Sequence, residues 1–268
     1  MHEAKMHRYN SFITLTYNNE NLPETGSLVK GHITTFLNTL RKALVRGSGA
    51  FLTATTSDTA ARRYGAPPHA PNRVRFYMAG EYGERFARPH YHLCLFGIDF
   101  SDKKYLQLSP AGSKLYRSPT LERLWNKGFT TVGELTYESA AYTARYVMKK
   151  ITGRQAKQHY EKIDPETGEI IQLLPEYNNM SRRPGIGKPW LEKFCSDAYP
   201  HGKVIIKGRR VNTPRYYDQQ YAKIEPLKAE DLAYGRFIEA LAHYQDNTNE
   251  RLAARRRVHE AQAKQLLS

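Results

Sequence analysis

Cysteine is almost absent from this chain. Its 268 residues include only Cys94 and Cys195, too few for a disulfide framework or a four-thiolate zinc site. Placed mid-strand, Cys94 reads as a small buried apolar group. Long apolar runs are missing too. No stretch approaches the ~20 residues a membrane span requires, and the opening MHEAKMHRYN lacks the apolar centre of a secretory signal. Both absences point to the cytosol. Acidic side chains are scarce, 26 against 41 Lys and Arg, leaving a net charge of +15. Such an excess favours polyanions through counterion release, nucleic acid being the common one. Charge alone does not separate DNA from RNA or from an acidic membrane surface.

The chain is 40% hydrophobic, enough to bury a core. Its 19 tyrosines offer ample surface for stacking on unpaired bases. Length suits one large domain with an appendage. We place the main domain at residues 1–226 and a basic helical appendage at 227–268.

The organising stretch is RPHYHLCLFG at 88–97. On a strand His90 and His92 leave one face, about 7 Å apart, while Tyr91, Leu93 and Leu95 leave the other. Two imidazoles so placed can hold a metal ion. A lone His-x-His is more often structural, so its neighbours decide. RVRFYMAGE at 73–81 alternates as a strand, and if it pairs with the histidine strand as a hairpin, Glu81 lies opposite His90. That gathers two imidazoles and one carboxylate.

SFITLTY at 11–17 reads as a strand and His32 to Arg46 as an amphipathic helix. Residues 47–72 read as a long mobile loop. A loop also precedes a short helix at Thr120 to Asn126 and a strand at Gly128 to Leu135. Tyr137 to Thr152 is a second helix with Thr136 as N-cap, its apolar stripe Ala144, Val147, Met148 and Ile151. Tyr142, Tyr146 and Lys149 point away from that stripe. Arg154 to Leu174 holds a hairpin turning at Asp164 to Gly168. SRRPGIGKPW at 181–190 is a basic loop or simply a turn. A short strand at Val204 to Lys207 precedes helical patterns at Leu227 to Tyr244 and Asn249 to Leu267. Arg255, Arg256 and Arg257 read as a solvated face.

A phenol is a weak nucleophile at neutral pH unless nearby charge helps it. A divalent ion on a phosphate supplies such help, and a lysine beside the phenol adds to it. Tyr142 and Tyr146, four apart on one helix face with Arg145 and Lys149 beside them, suit two alternating covalent attacks. The plainer reading makes them aromatic filler.

These residues resemble the HUH endonucleases, which carry two histidines around a hydrophobic residue on a strand and a tyrosine on a following helix. They are similar in particular to rolling-circle replication initiators of gokushovirus-type single-stranded DNA phages (Microviridae). FITLTY at 12–17 with LP at 22–23 resembles their first motif, GEYG at 80–83 with RPHYH at 88–92 the second, and YTARYVMKK at 142–150 the third. SRRPGIG at 181–187 and PRYYD at 214–218 also look like segments of these initiators. The resemblance covers roughly residues 2 to 218.

It implies an α+β fold, an antiparallel sheet of about five strands with flanking helices, related to ferredoxin-like RNA-recognition domains. It implies that His90 and His92 bind Mg²⁺ or Mn²⁺, with Glu81 as our choice of third ligand. It further implies that Tyr142 or Tyr146 cuts one strand at an origin, leaving a 5′-phosphotyrosine and a free 3′-OH, and that the other tyrosine later rejoins the circle. Lys149 is the expected helper, unranked against Arg145. Arg145, Lys150, Arg182, Arg183 and Arg88 are expected to contact DNA. The partners expected are single-stranded origin DNA and a host helicase and polymerase, with no membrane, in the cytoplasm of a bacterial host. Initiators of this kind carry a segment upstream of HEAxxH, so a shortened N-terminus is also expected. A non-catalytic nucleic-acid-binding module and a zinc hydrolase stand as rivals.

Overall fold

The structure is a computed structural model and describes residues 1–52, 74–83, 86–163 and 167–267. Most of the expected 47–72 loop, and the hairpin turn at 164–166, lie outside the described residues. The part of that loop within them, Phe51–Leu52, is paired with Asp99–Phe100 as two short strands.

Seven strands form one sheet, more than the five expected: β1 Asn10–Tyr17, β2 Arg75–Tyr82, β3 Pro89–Phe96, β4 Lys104–Leu108, β5 Lys114–Arg117, β6 Gly128–Gly133 and β7 Tyr177–Met180. Their order is β7-β2-β3-β1-β6-β5-β4, and neighbouring strands run antiparallel. The strands missed in sequence are β4, β5 and β7. β4 is exposed along its whole length, so no hydrophobic alternation marks it.

Each face of the sheet has its own cover. Ile13, Leu15, Met78, Leu93 and Leu95 have no exposed surface, each burial stabilising by about 1.5–3 kcal/mol. They pack with Ile33, Phe36, Leu37 and Leu40 of helix α1 (Lys30–Arg46) and with Leu121, Leu124 and Trp125 of helix α2 (Pro119–Trp125). Period-3.6 apolar spacing in α1 and period-2 spacing in the strands make this one core. On the other face lie Phe12, Cys94, Phe96, Tyr77 and Ala140, a smaller cluster beside helix α3 (Tyr137–Lys149).

Helix α3 begins as expected. Thr136 caps it, its hydroxyl accepting from Ser139 N–H while the Ser139 hydroxyl accepts from Thr136 N–H. Its orientation differs from the expected one. Ala144 is exposed and Tyr146 is only 2% exposed. The sheet surface beneath offers Thr, His and Glu rather than aliphatic side chains, so the helix buries its tyrosine side there.

The chain divides into two compact units, Met1–Pro189 and Trp190–Ser268, earlier than the 226/227 boundary expected. Within the second unit the rings of Trp190 and Tyr217 stack at 5.9 Å and those of Tyr199 and Tyr221 at 3.9 Å. This aromatic packing groups residues 190–225 with the helices Pro226–Ala242 and Asn249–Leu267 that follow. No helix among the described residues is long and apolar enough to cross a membrane.

Candidate active site

Two rungs of the sheet build the site. Glu81 pairs with His90, His90 with Thr16, and Thr16 with Phe129. The next rung runs Ala79, His92, Thr14, Thr131. Directly opposed residues share a face, so Glu81, His90, His92, Thr14 and Thr16 all project toward the α3 side. The hairpin register expected from sequence is the one observed.

Two threonines complete the imidazoles. Thr14 Oγ1 lies 3.0 Å from His92 Nδ1 and Thr16 Oγ1 2.8 Å from His90 Nδ1. A hydroxyl rotates to donate or accept, so each threonine suits either tautomer while holding the ring's orientation. His92 Nε2 donates to Glu81 Oε1 at 3.1 Å. Phe12 stacks on the His92 ring at 5.9 Å. Sequence reasoning passed over these β1 residues, although the alternation Phe12-Thr14-Thr16 carried the signal; what it lacked was the knowledge that β1 pairs with β3.

Helix α3 lays both tyrosines on this cluster. The Tyr146 ring stacks on His92 with centroids 4.9 Å apart, and Tyr142 meets His92 edge-on at 5.3 Å. The two phenol rings lie 4.7 Å apart. Tyr146 is buried and Tyr142 half-buried. Burial first, then the Glu81 charge and hydrogen bonding with Tyr142 and Glu81, push the Tyr146 phenol far above its usual value. Burial likewise holds the His90 imidazole below its ordinary value, opposed by Glu81 and aided by His92 and Arg88. A neutral imidazole is the form that binds metal.

The metal reading meets a mixed answer. The donor set, two imidazoles and a carboxylate on one rigid face, has the right chemistry. Yet among the described residues no three His, Cys, Asp or Glu side chains close into a metal-holding group. Glu81 and His92 bond each other, and the His90 ring lies 6.5 Å from that of His92.

The expected DNA contacts fall in different settings. Arg88 donates to Tyr17 O at 2.8 Å and to Asn19 Oδ1 at 2.6 Å, tying the β2–β3 hairpin to the end of β1. Arg145 Nε is buried with no hydrogen-bond partner among the described residues. Lys150 at the end of α3, and Arg182 and Arg183 in the turn after β7, are exposed. The Lys149 side chain lies outside the described residues.

Compared with known proteins, residues 10–151 match the replication-associated protein ORF2 family. The chain belongs to that family. Among its relatives is the replication-associated protein ORF2 of Spiroplasma virus 4, 32% identical over 80% of this chain and 58% of the relative. Another is the replication-associated protein VP4 of Bdellovibrio phage phiMH2K, 30% identical over 85% of this chain and 62% of the relative. A third, the replication-associated protein ORF4 of Chlamydia phage 1, is 32% identical over 83% of this chain and 48% of its own length. The chain thus aligns with about half to three-fifths of each of these replication-associated relatives. No solved structure matches it.

Proposed function

We propose that this chain initiates DNA replication by nicking one strand at an origin and later rejoining it, through the phenols of Tyr142 and Tyr146. Family membership supports the replication role, since the relatives from three phages are named for it. The observation that carries the chemistry is the seating of both tyrosine rings on His92, at 4.9 and 5.3 Å.

His90 and His92, with Glu81 as third ligand, are the residues that would hold Mg²⁺ or Mn²⁺. The ion would supply Lewis acidity at the scissile phosphate. The chain's own residues do the rest. In the nicking step a phenol oxygen forms a bond to phosphorus as the bond to the 3′-oxygen breaks. The phenol gives up its proton, and the departing oxygen takes one to become a free 3′-OH. Glu81, hydrogen-bonded with Tyr146, is placed to accept that tyrosine's proton. The second tyrosine then repeats the attack on new DNA, and the stored 3′-OH displaces the first phenol to close the circle. Arg145 and Lys149 would steady the phosphate's charge. The 3′-OH would serve a host polymerase, with a helicase opening the duplex, in the cytoplasm of the bacterial host.

The test is incubation with labelled single-stranded origin DNA and Mn²⁺, followed by mass-spectrometric mapping of the protein–DNA adduct. Adducts are expected on Tyr142 and Tyr146. The double variant Tyr142→Phe/Tyr146→Phe should bind DNA but form no adduct; unchanged adduct in it would end the proposal. His90→Ala and His92→Ala should each abolish cutting while the chain stays folded.

A further inference from the structure

The face that carries the histidines is covered on one side and open on the other. Helix α3 packs chiefly over β2, β3 and β7. Across β1 the same face continues onto β6, β5 and β4. There Phe129 opposes Thr16, the residue whose hydroxyl meets His90. Its neighbours on β6 at even positions, Thr130 and Val132, are buried, so Phe129 takes the His90 side by strand alternation. It is nevertheless 66% exposed. An aromatic ring spread on an open sheet, two strand spacings or roughly 10 Å from His90, has no role in either core.

Its surroundings carry positive charge. Tyr116 of β5 pairs with Val132 on the core side, which turns the adjacent Arg117 to the open face. Lys104 of β4 pairs with Arg117 and is exposed, as are Arg117 and Gln107. One acid answers them: Glu122 bonds Arg117 at 2.6 Å.

We propose that Phe129 is a stacking platform for one unpaired base of the substrate strand, with Lys104 and Arg117 taking its flanking phosphates. The occupant is single-stranded nucleic acid. An exposed π-face accepts any unstacked base, and the cations suit a polyanion. The surface is continuous with the histidine–tyrosine cluster. Duplex bases, stacked on each other, offer no such face. The placement beside the cutting site rests on the function proposed above; the binding itself does not.

The experiment measures affinity of the full chain for a short fluorescein-labelled oligothymidylate, by anisotropy over a range of salt. Phe129→Ala is expected to weaken binding about 5- to 150-fold, as loss of one base–aromatic stack does, and to leave the salt slope unchanged. Phe129→Tyr should retain wild-type affinity, and Phe129→Leu, with apolar bulk but no ring, should resemble Phe129→Ala. Lys104→Ala should lower the salt slope by about 0.7, one phosphate contact's share for a single strand. Wild-type affinity in Phe129→Ala, or in Phe129→Leu, would overturn the platform. An equal loss of affinity for a duplex of the same sequence would overturn it too. Adduct formation by the otherwise wild-type chain separates the two ideas. If that chain forms no adduct yet Phe129→Ala still weakens binding, the platform stands and the nicking reading falls; the reverse result removes the platform alone.

Discussion

Thr16 and Thr14 hold the imidazoles by a single hydroxyl each, at 2.8 and 3.0 Å. Partners of this kind orient a metal-ligating ring, and their loss typically costs 10- to 100-fold in metal affinity or activity. Thr16→Val, isosteric but without the hydroxyl, is therefore expected to lower Mn²⁺ affinity and adduct formation by about 10-fold or more. Thr16→Ser should keep both. A Thr16→Val protein that titrates with Mn²⁺ like wild type would show the hydroxyl to be idle. A second residue-scale device lies at Glu3. Burial alone would raise its pKa, but hydrogen bonds from His7, Arg75 and the Gly187 N–H outweigh burial and hold it at about 2, below an ordinary 4.5. The folded-state value is depressed, so this stabilisation is complete above the ordinary value and disappears as pH falls toward 2. It amounts to something on the order of 3 kcal/mol. Urea unfolding between pH 5 and 2 should show that loss in wild type, and a flatter profile in Glu3→Gln. His90, His92 and Glu81 were legible in sequence because strand alternation and one hairpin suffice to gather them. The Glu3–Arg75 pair was not, since its members are separated by 72 positions and no local pattern joins them.

Helix α3 shows where reading by element succeeds and where it stops. Its start, cap and tyrosine spacing followed from the sequence. Its facing did not, because an apolar-stripe argument assumes an aliphatic surface below, and the sheet here presents imidazole, hydroxyl and carboxylate. The cap is testable: Thr136→Ala should cost about 1 kcal/mol, read as a shift in urea midpoint at constant slope. The β1–β6 junction is stricter. Gly128 has φ +144, and a Cβ there would meet the Asn18 nitrogen at 2.2 Å and the Thr16 oxygen at 2.5 Å. These are backbone atoms that cannot turn aside. Gly128→Ala is expected to destabilise by something on the order of 3 kcal/mol; near-wild-type stability would mean that β6 has another way to join β1. The strands missed in sequence, β4 above all, lie at the rim, where neither face is buried and composition carries no period.

At the scale of the molecule, the charge of +15 sets how binding responds to salt. If four or more phosphates are contacted, affinity for single-stranded DNA should fall with a log–log salt slope of about −3 or steeper. A flat dependence would assign the basic surface no part in binding. A polyanion partner was therefore legible from composition, and the family from motif order. The division at Pro189/Trp190 was not, because the aromatic grouping that sets residues 190–225 with the C-terminal helices depends on ring contacts such as Tyr199 with Tyr221 at 3.9 Å.

The paired rungs have one more consequence. Threonine and imidazole meet only when β1 sits against β3 in the observed alignment. Sliding β1 by a single residue turns Ile13 and Leu15 toward the histidines and both hydroxyls into the oil of the core. Assembly of the hydrophobic layer thus doubles as an inspection step, so a half-folded copy of this chain would carry no working scissors.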